Sequence, residues 1–215
     1  MKRILFIVLL LIVFLTKNIV AQNVPALLSA SDRAAFCKLL AQVASVTESI
    51  SADFYQHKSI PMLKNKMLSK GLFLFKREEK IAFLYKDPVY YQMIINGDKL
   101  RLVSDGSDRT MDLKNNPVMG EVRELISASF LGKLSDRDNS YTIEYLSSPK
   151  GVIVTIIPLN KQLLSIIKKI TITFNSTSAN IESLHIEEGS GGYTEYIFKN
   201  QKRNILLNDE VFLVN

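Results

Sequence analysis

The 215-residue sequence predicts an α+β fold, in which one curved antiparallel sheet of about 11 strands carries two amphipathic helices on its concave side. Three observations predict this fold. Apolar residues recur at three- and four-residue steps over residues 29–48 and 117–131, as on one face of a helix. The remaining chain alternates with the period of strands, between turn clusters. Segments such as residues 72–75 are apolar on both faces, so the sheet must be covered on both or curve around apolar material.

The helices and strands are expected at the following positions. Ser31 is the expected N-cap of the first helix, because its hydroxyl can accept from a free amide. Pro117 fits the first turn of the second helix. Residues 104–116 are rich in turn formers and are expected to form a connection. Strands are expected at residues 50–55, 67–76, 80–86, 90–95, 100–103, 140–146, 151–157, 166–174, 180–187, 193–199 and 210–214.

The N-terminus has the pattern of a secretory signal peptide. A basic start precedes an unbroken apolar run over residues 4–15, and Ala21 places a small residue before Gln22. This layout predicts export to the periplasm, removal of residues 1–21 and a mature single domain of residues 22–215. An uncleaved membrane anchor is the alternative, although the apolar run is shorter than the roughly 20 residues that span a bilayer.

Charge and cysteine content argue against several classes of protein. The net charge is +6, and three of the positive charges lie in the leader, so the mature surface is only mildly basic. It lacks the basic block that a nucleic-acid binder needs. Cys37 is the only cysteine, and it lies well past the cleavage site in a helical pattern. It is therefore expected to be a small buried hydrophobe and not a lipid anchor. We expect a soluble mature protein and a monomer.

The sequence offers no persuasive catalytic or metal-binding set of residues. His57 and His185 each stand alone, without a second histidine at metal-ligand spacing. No serine lies in a nucleophile elbow. The glycine-rich residues 189–192 lack the lysine and hydroxyl residue of a phosphate-binding loop. We therefore expect no enzyme activity, no metal and no cofactor, with an unrecognised hydrolase as the alternative.

One set of apolar residues occupies alternate positions on adjacent predicted strands and therefore shares one face of the sheet. We expect this set, together with Leu125 on the apolar stripe of the second helix, to line a hollow for an apolar ligand. The alternative is an ordinary core packed beneath the helices. The candidate lining residues on the strands are Phe73, Phe75, Phe83, Tyr85, Met93 and Ile95.

Several motifs, taken in order, resemble the periplasmic carriers of outer-membrane lipoproteins, the LolA type. They are SADFYQ at residues 51–56, SKGLFLFKR at 69–77, IAFLYKDP at 81–88 and IINGDKL at 94–100. The late hairpins and the closing DEVFLV are also similar to that family. The likeness covers nearly the whole mature chain.

The resemblance implies an unclosed antiparallel β-barrel whose apolar hollow is lidded by helices. It also implies a carrier that shields the acyl chains of lipoproteins between an inner-membrane lipoprotein transporter and an outer-membrane receptor. By position, Arg77 matches the arginine that bonds the lid. Ile81 and Phe83 match larger aromatic residues of the family, so Ile81 joins the candidate ligand-binding set. A related-fold periplasmic binder of another lipid, or a lipoprotein-stress sensor, is the alternative.

The sequence departs from the family pattern at points that bear on partners more than on fold. Glu78 stands where the family has a proline, and two of the matched positions are smaller than in the family. The sequence ends at Asn215, so by comparison with the family pattern we expect the extra C-terminal loop and strand of well-studied carriers to be missing. Without the resemblance, Arg77 could be a surface arginine paired with Glu78 or Glu79, a contact worth at most about 1 kcal/mol.

The leader gives the first testable prediction. When the full chain is produced in a Gram-negative host, the exported form should begin at Gln22, because signal peptidase cuts after a small residue that follows the apolar run. N-terminal sequencing of the periplasmic fraction measures this directly. A protein that still begins at Met1 and sediments with membranes would show that the segment is an anchor.

Overall fold

The computed structural model describes residues 25–63, 66–115, 117–130 and 140–214. The leader expected at residues 1–21 lies outside these ranges. Within the ranges, no helix is both long enough and apolar enough to cross a membrane.

Two longer helices and a set of antiparallel strands make up the described chain. Helix α1 spans Ala30–Ser45, α2 spans Pro117–Phe130 and the single-turn α3 spans Lys161–Leu164, while 3-10 turns cover Leu113–Asn115 and Asp209–Phe212. The strands are β1 Ala26–Leu27, β2 Ser49–Ser59, β3 Met67–Lys76, β4 Lys80–Asp87, β5 Tyr91–Asn96, β6 Lys99–Ser104, β7 Ser107–Asp112, β8 Tyr141–Ser148, β9 Gly151–Pro158, β10 Ile167–Phe174, β11 Ile181–Glu188 and β12 Tyr193–Arg203.

All these strands join one 12-stranded sheet, in the order β1-β8-β9-β10-β11-β12-β2-β3-β4-β5-β6-β7. Each strand pairs antiparallel with its neighbours. The chain halves meet where β12 pairs with β2, and β1 and β7 form the two edges of the described sheet. The sheet is therefore unclosed, which confirms the predicted fold class with one strand more than expected.

The sheet curls strongly toward one face. Strands β4 and β12 are separated by β2 and β3, so a flat sheet would hold them about 14 Å apart. The hydroxyl of Tyr85 on β4 nevertheless lies 2.9 Å from that of Tyr196 on β12. The rings of Phe83 and Tyr196 have centroids 4.9 Å apart. Side chains three strands apart can meet in this way because the face that bears them is concave.

The main core fills this concave face and includes both longer helices. Phe36 and Leu40 of α1 and Leu125 and Ala128 of α2 belong to the same buried cluster as the inward residues of the strands. The ring of Phe36 packs edge-on against Phe174, with centroids 5.5 Å apart. Both helices therefore cover the concave side, as the sequence predicted.

The outer face of β3, β4 and β5 carries a second, smaller apolar cluster that the C-terminal residues cover. Leu74, Ala82 and Ile94 pack there against Phe212 and Val214. Residues 210–214, predicted to be a closing strand, instead form the last 3-10 turn and the extended residues after it. This turn forms because the side chain of the preceding asparagine accepts from an amide in it, and its apolar residues bury themselves without joining the sheet.

The C-terminal turn is also fixed by charge. The carboxylate of Asp209 lies 2.8 Å from Lys76 Nζ and 3.2 Å from Lys80 Nζ. Hydrogen bonds from these two ammonium groups lower the pKa of the Asp209 carboxyl, and the bond from Lys76 has the larger effect. The two lysines stand at the adjoining ends of β3 and β4, so the turn is fastened to the hairpin whose outer face it covers.

Two other predicted boundaries were wrong. Helix α1 ends earlier than the expected residue 48, at Ser45, and its N-cap is Ser29 and not Ser31, since the Ser29 hydroxyl accepts from the Asp32 amide at 3.1 Å. Residues 107–112, predicted to be part of a connection, form β7. Strand β7 is an edge strand with mostly exposed side chains, so its composition is polar on both faces and resembles that of a loop.

The outer cluster predicts a strong and selective loss of stability. Phe212→Ala should lower the free energy of unfolding by about 3–5 kcal/mol, because it empties a fully buried site. The neighbouring Leu213 is 47% exposed, so Leu213→Ala is the control and should change it by no more than about 0.5 kcal/mol. Urea denaturation measures both. Equal, small losses would mean that the C-terminal residues do not contribute to the core.

Candidate functional site

A cluster of aromatic rings fills the middle of the concave face. Phe54 contacts Phe83, Tyr85 and Tyr196, with ring centroids 4.9–5.8 Å apart. Phe73 contacts Phe83 at 5.0 Å. The strand register explains the cluster, because Phe73 lies opposite Phe83 and Phe83 lies opposite Met93 on three adjacent strands.

The residues predicted to line a hollow all lie in or beside this cluster. Six of them are packed core residues in this structure, with exposed fractions of 6% or less: Phe73, Phe75, Ile81, Phe83, Ile95 and Leu125. The other two, Tyr85 and Met93, border an open groove. The sequence identified the face that these residues share, whereas their depth depends on how tightly the sheet curls.

The groove has a volume of about 550 Å³ and lies where β3 begins and β4 and β11 end. Its apolar wall continues the aromatic core toward solvent. Lys58 and Glu188, whose charged groups are 3.4 Å apart, stand on its border. The residues that line it are Gln56, Lys58, Met67, Ser69, Tyr85, Pro88, Val89, Tyr91, Met93, Ile186, Glu188, Thr194 and Tyr196.

Three polar groups meet between the groove and the aromatic core. Gln56 Nε2 donates to the hydroxyls of Tyr196 and Tyr85, at 2.9 and 3.2 Å, and these hydroxyls also bond each other. Burial raises the pKa of Tyr196 well above its ordinary value and also raises that of Tyr85. Both phenols are therefore neutral at physiological pH and present hydroxyl groups, without charge, to the groove. Neither Gln56 nor Tyr196 was among the site residues predicted from the sequence.

At the opposite end of the sheet, Arg77 contacts the C-terminal end of α1. Its Nη2 donates to the carbonyl oxygens of Ala44, Ser45 and Thr47 at 2.9, 2.9 and 2.8 Å. Ala44 and Ser45 belong to the last turn of α1, whose carbonyls lack the helical amide partner four residues on, and Thr47 follows the helix. Nε lies 2.9 Å from the carboxylate of Glu48, an ion pair that lacks the alignment of a good hydrogen bond.

The two glutamates considered as partners of Arg77 are placed differently. Glu78 and Glu79 form the turn after β3, both with positive φ. Glu79 lies 3.4 Å from Arg123 of α2. Arg123 also bonds the carbonyl of Gly97 and the carboxylate of Asp98, at 3.0 and 2.8 Å, which fixes α2 to the turn between β5 and β6. In the sequence, Arg123 stands as a lone cation beside the apolar stripe of α2. This pattern could have indicated the contact, but it was not among the predictions.

The chemistry available on this surface is that of apolar contact with a few neutral hydrogen-bonding groups. In the described part of the chain, no group of three or more His, Cys, Asp or Glu residues could hold a metal ion. Cys37 packs half-buried against the main core.

The fold and this surface define a class of α+β proteins in which an unclosed antiparallel sheet wraps around an apolar interior that helices cover. The chain belongs to the outer membrane lipoprotein carrier protein LolA family, whose model matches residues 45–215. The resemblance inferred from the motifs is thereby confirmed. The match begins at the last residue of α1 and includes Arg77.

Three solved structures are similar to this one at low sequence identity. A LolA superfamily protein from Nitrosomonas europaea is 11% identical, with 83% of this chain and 97% of that chain covered and a TM-score of 0.41. The lipoprotein LppX from Mycobacterium tuberculosis is 11% identical, with 84% and 99% covered and a TM-score of 0.46. MucB is 10% identical, with 87% and 64% covered and a TM-score of 0.48. No curated protein matches the chain.

The buried tyrosines predict a loss of stability at high pH. Because burial raises the pKa of Tyr196 in the folded protein above its ordinary value of 10.0, the unfolded chain releases this proton first as the pH rises. The neutral Tyr196 hydroxyl makes its full contribution to the free energy of unfolding below about pH 10. That contribution is lost as the pH rises from there toward the pKa of Tyr196 in the folded protein. The free energy of unfolding in urea should therefore fall above pH 10, and Tyr196→Phe should reduce that fall.

The control is Tyr55→Phe, which removes the hydroxyl of a half-exposed tyrosine on the outer face. Its stability should follow the wild-type curve between pH 8 and 11. If Tyr196→Phe and Tyr55→Phe give the same curve, the buried hydroxyl pair does not control the alkaline transition.

Proposed function

We propose that this protein is a periplasmic carrier that shields the acyl chains of lipoproteins in its concave apolar interior and moves them from the inner to the outer membrane. The observation that carries the proposal is the contact of Arg77 with three carbonyls at the end of α1. Arg77 thereby fastens the end of a helix that covers an apolar interior. In the proposed function, α1 is the lid that covers the concave face, and Arg77 is the latch that holds its end. Membership of the lipoprotein carrier family supports both roles.

The apolar interior removes the main free-energy cost of transport, which is the exposure of an acyl chain to water. Exposure of an acyl chain to water costs about 0.8 kcal/mol per CH₂, or roughly 10 kcal/mol for one chain of ordinary length. Contact with the aromatic and aliphatic residues of the concave face removes that cost. In the proposed cycle, Tyr85 and Met93 meet the acyl chain first at the groove, and Phe73, Phe75, Ile81, Phe83, Ile95 and Leu125 line the interior once the lid opens.

The latch has a strength suited to repeated opening. Hydrogen bonds to a charged group contribute about 1.5–3 kcal/mol net, which biases the lid toward closure but lets thermal motion open it. Closure after release restores these bonds and favours the empty state. The cycle therefore needs no nucleotide, metal or cofactor.

The remaining parts of the proposal follow from the leader and from the family. Removal of residues 1–21 would release a single-domain monomer, residues 22–215, into the periplasm. An inner-membrane lipoprotein transporter would load it and an outer-membrane receptor would unload it. An enzymatic role is not part of the proposal.

The groove favours one alternative, which is a binder of a different lipid or a lipoprotein-stress sensor. Its volume of about 550 Å³ falls in the usual range for one small ligand, about 300–1,000 Å³, whereas a triacylated lipoprotein needs more room. Mass spectrometry of the ligand that stays bound after native purification from the producing cell separates the two functions. Acylated peptides support the carrier, and a free lipid supports the alternative.

The latch gives a prediction for transport. Arg77→Leu should leave the fold intact and shift the balance between open and closed lid by roughly tenfold or more, since 1.4 kcal/mol is a factor of ten. The variant should bind an apolar fluorescent dye that long-chain acyl compounds displace, yet transfer lipoprotein between purified donor and acceptor membranes slowly.

The matched control is Arg109→Leu, which makes the same change at an exposed position on the edge strand β7. It should bind dye and transfer lipoprotein at the wild-type rate. Wild-type transfer by Arg77→Leu, with a normal melting curve, would show that Arg77 is an ordinary surface residue.

A further inference from the structure

We infer that Asn204 is a second anchor of the α1 end, which ties the lid to the C-terminal residues on the outer face. Asn204 is a positioning residue, because it acts on the helix and not on the ligand. The inference deepens the proposed function and rests on it.

Four consecutive backbone carbonyls at the C-terminal end of α1 and just after it accept hydrogen bonds from side chains. Arg77 donates hydrogen bonds to the carbonyls of Ala44, Ser45 and Thr47. The carbonyl between them, that of Val46, accepts from Asn204 Nδ2 at 2.9 Å. Four consecutive carbonyls are thus held by two side chains, one from the end of β3 and one from the end of β12.

Asn204 also holds the residues that lead into β2. Its Oδ1 accepts from the amide of Glu48 at 2.8 Å, and its own amide donates to the carbonyl of Ser49 at 2.9 Å. The hydroxyl of Ser49 donates to the carbonyl of Ile205 at 2.6 Å. The side-chain amide therefore acts on this short connection as a neighbouring strand would, donating once and accepting once.

The backbone of Asn204 is placed for this role by its conformation. Its φ is +55°, in the left-handed region that asparagine tolerates better than most residues. This turn directs the chain away from β12 and onto the outer face. Asparagine thus provides both the turn and the amide group that reaches the α1 end.

Beyond Asn204 the chain is fixed to the outer face at several points. Asp209 pairs with Lys76, the residue next to Arg77. Asn96 Nδ2 donates to the carbonyl of Phe212 at 3.0 Å. Movement of the α1 end must therefore either break the Asn204 bonds or, while they hold, pull on these C-terminal contacts.

Both anchors can rearrange without disturbing the core. Arg77 and Asn204 border one groove of about 610 Å³, together with Glu48, Lys80 and Asp209. Water in this groove can replace their bonds to the helix end, as a reversible latch requires. The groove lies at the opposite end of the strands from the one beside Tyr85.

The test measures opening of the lid in the ligand-free protein. Asn204→Gly removes both side-chain bonds and keeps the left-handed backbone at low cost. The matched control is Asn200→Gly, because Asn200 also has a positive φ, of 52°, but its amide bonds Asp53 on the outer face. Hydrogen exchange of the α1 amides is compared with that of the β3 and β4 amides.

We expect exchange of the α1 amides to quicken by about tenfold or more in Asn204→Gly, with the β3 and β4 amides unchanged, and no such difference in Asn200→Gly. Asn204→Asp keeps the acceptor for Glu48 and loses the donor to Val46, so its α1 exchange should be intermediate. The combination of Asn204→Gly with Arg77→Leu should depart from additivity, since both anchors hold one helix end.

Two results would overturn the inference: wild-type exchange of α1 in Asn204→Gly, or a uniform increase over α1, β3 and β4, which indicates a purely structural role. Because no ligand is present, neither result depends on what the protein carries. Failure of the wild-type protein to bind acyl ligands would instead contradict the proposed function and leave the exchange result as it stands.

Discussion

The structure depends on one constraint, which is that β3, β4 and β5 are apolar on both faces. Both faces of such a sheet must be covered, because each exposed square ångström of apolar surface costs about 25 cal/mol. The helices cover the concave face, and the C-terminal residues cover the outer one. Neither cover belongs to the sheet. The hydrogen bonds between strands therefore form a frame that can persist while a cover moves.

Two polar side chains that fasten α1 converge on the connection between α1 and β2. Arg77 reaches it from the hairpin that the C-terminal turn covers, and Asn204 reaches it from the end of β12. The apolar contacts of α1 with the core are non-directional, whereas these hydrogen bonds have defined partners and directions. The bonds of Arg77 and Asn204 thus set the position of the helix at its C-terminal end, where few bonds must break for the helix to move. Both residues stand at the ends of strands of the sheet.

The sequence predicted most of the fold and part of the site, for identifiable reasons. Period-two alternation placed the strands and the shared face of Phe73, Phe83 and Met93, because that period is a property of every strand. It misplaced β7, which is exposed on both faces, and residues 210–214, whose apolar residues cover a sheet without joining it. Arg77 was found through family resemblance. The contacts of Asn204 and Gln56 could not be found, since partners of these residues lie 156 and 140 residues away along the chain, although Gln56 stands in the SADFYQ motif.

A filled interior in the unloaded protein is what the proposed transport requires. A dry, preformed hollow of about 500 Å³ would cost on the order of 12 kcal/mol at about 24 cal/mol per Å³. That cost equals the whole stability of many domains, about 5–15 kcal/mol. A carrier without cargo therefore has to close its hollow with its own side chains, as the rings of Phe54, Phe73 and Phe83 do here. In the proposed transport cycle, the same rings would compete with the acyl chain for one space. This competition would keep the affinity low enough for release, and the proposed latch at the α1 end would set which of the two competitors prevails.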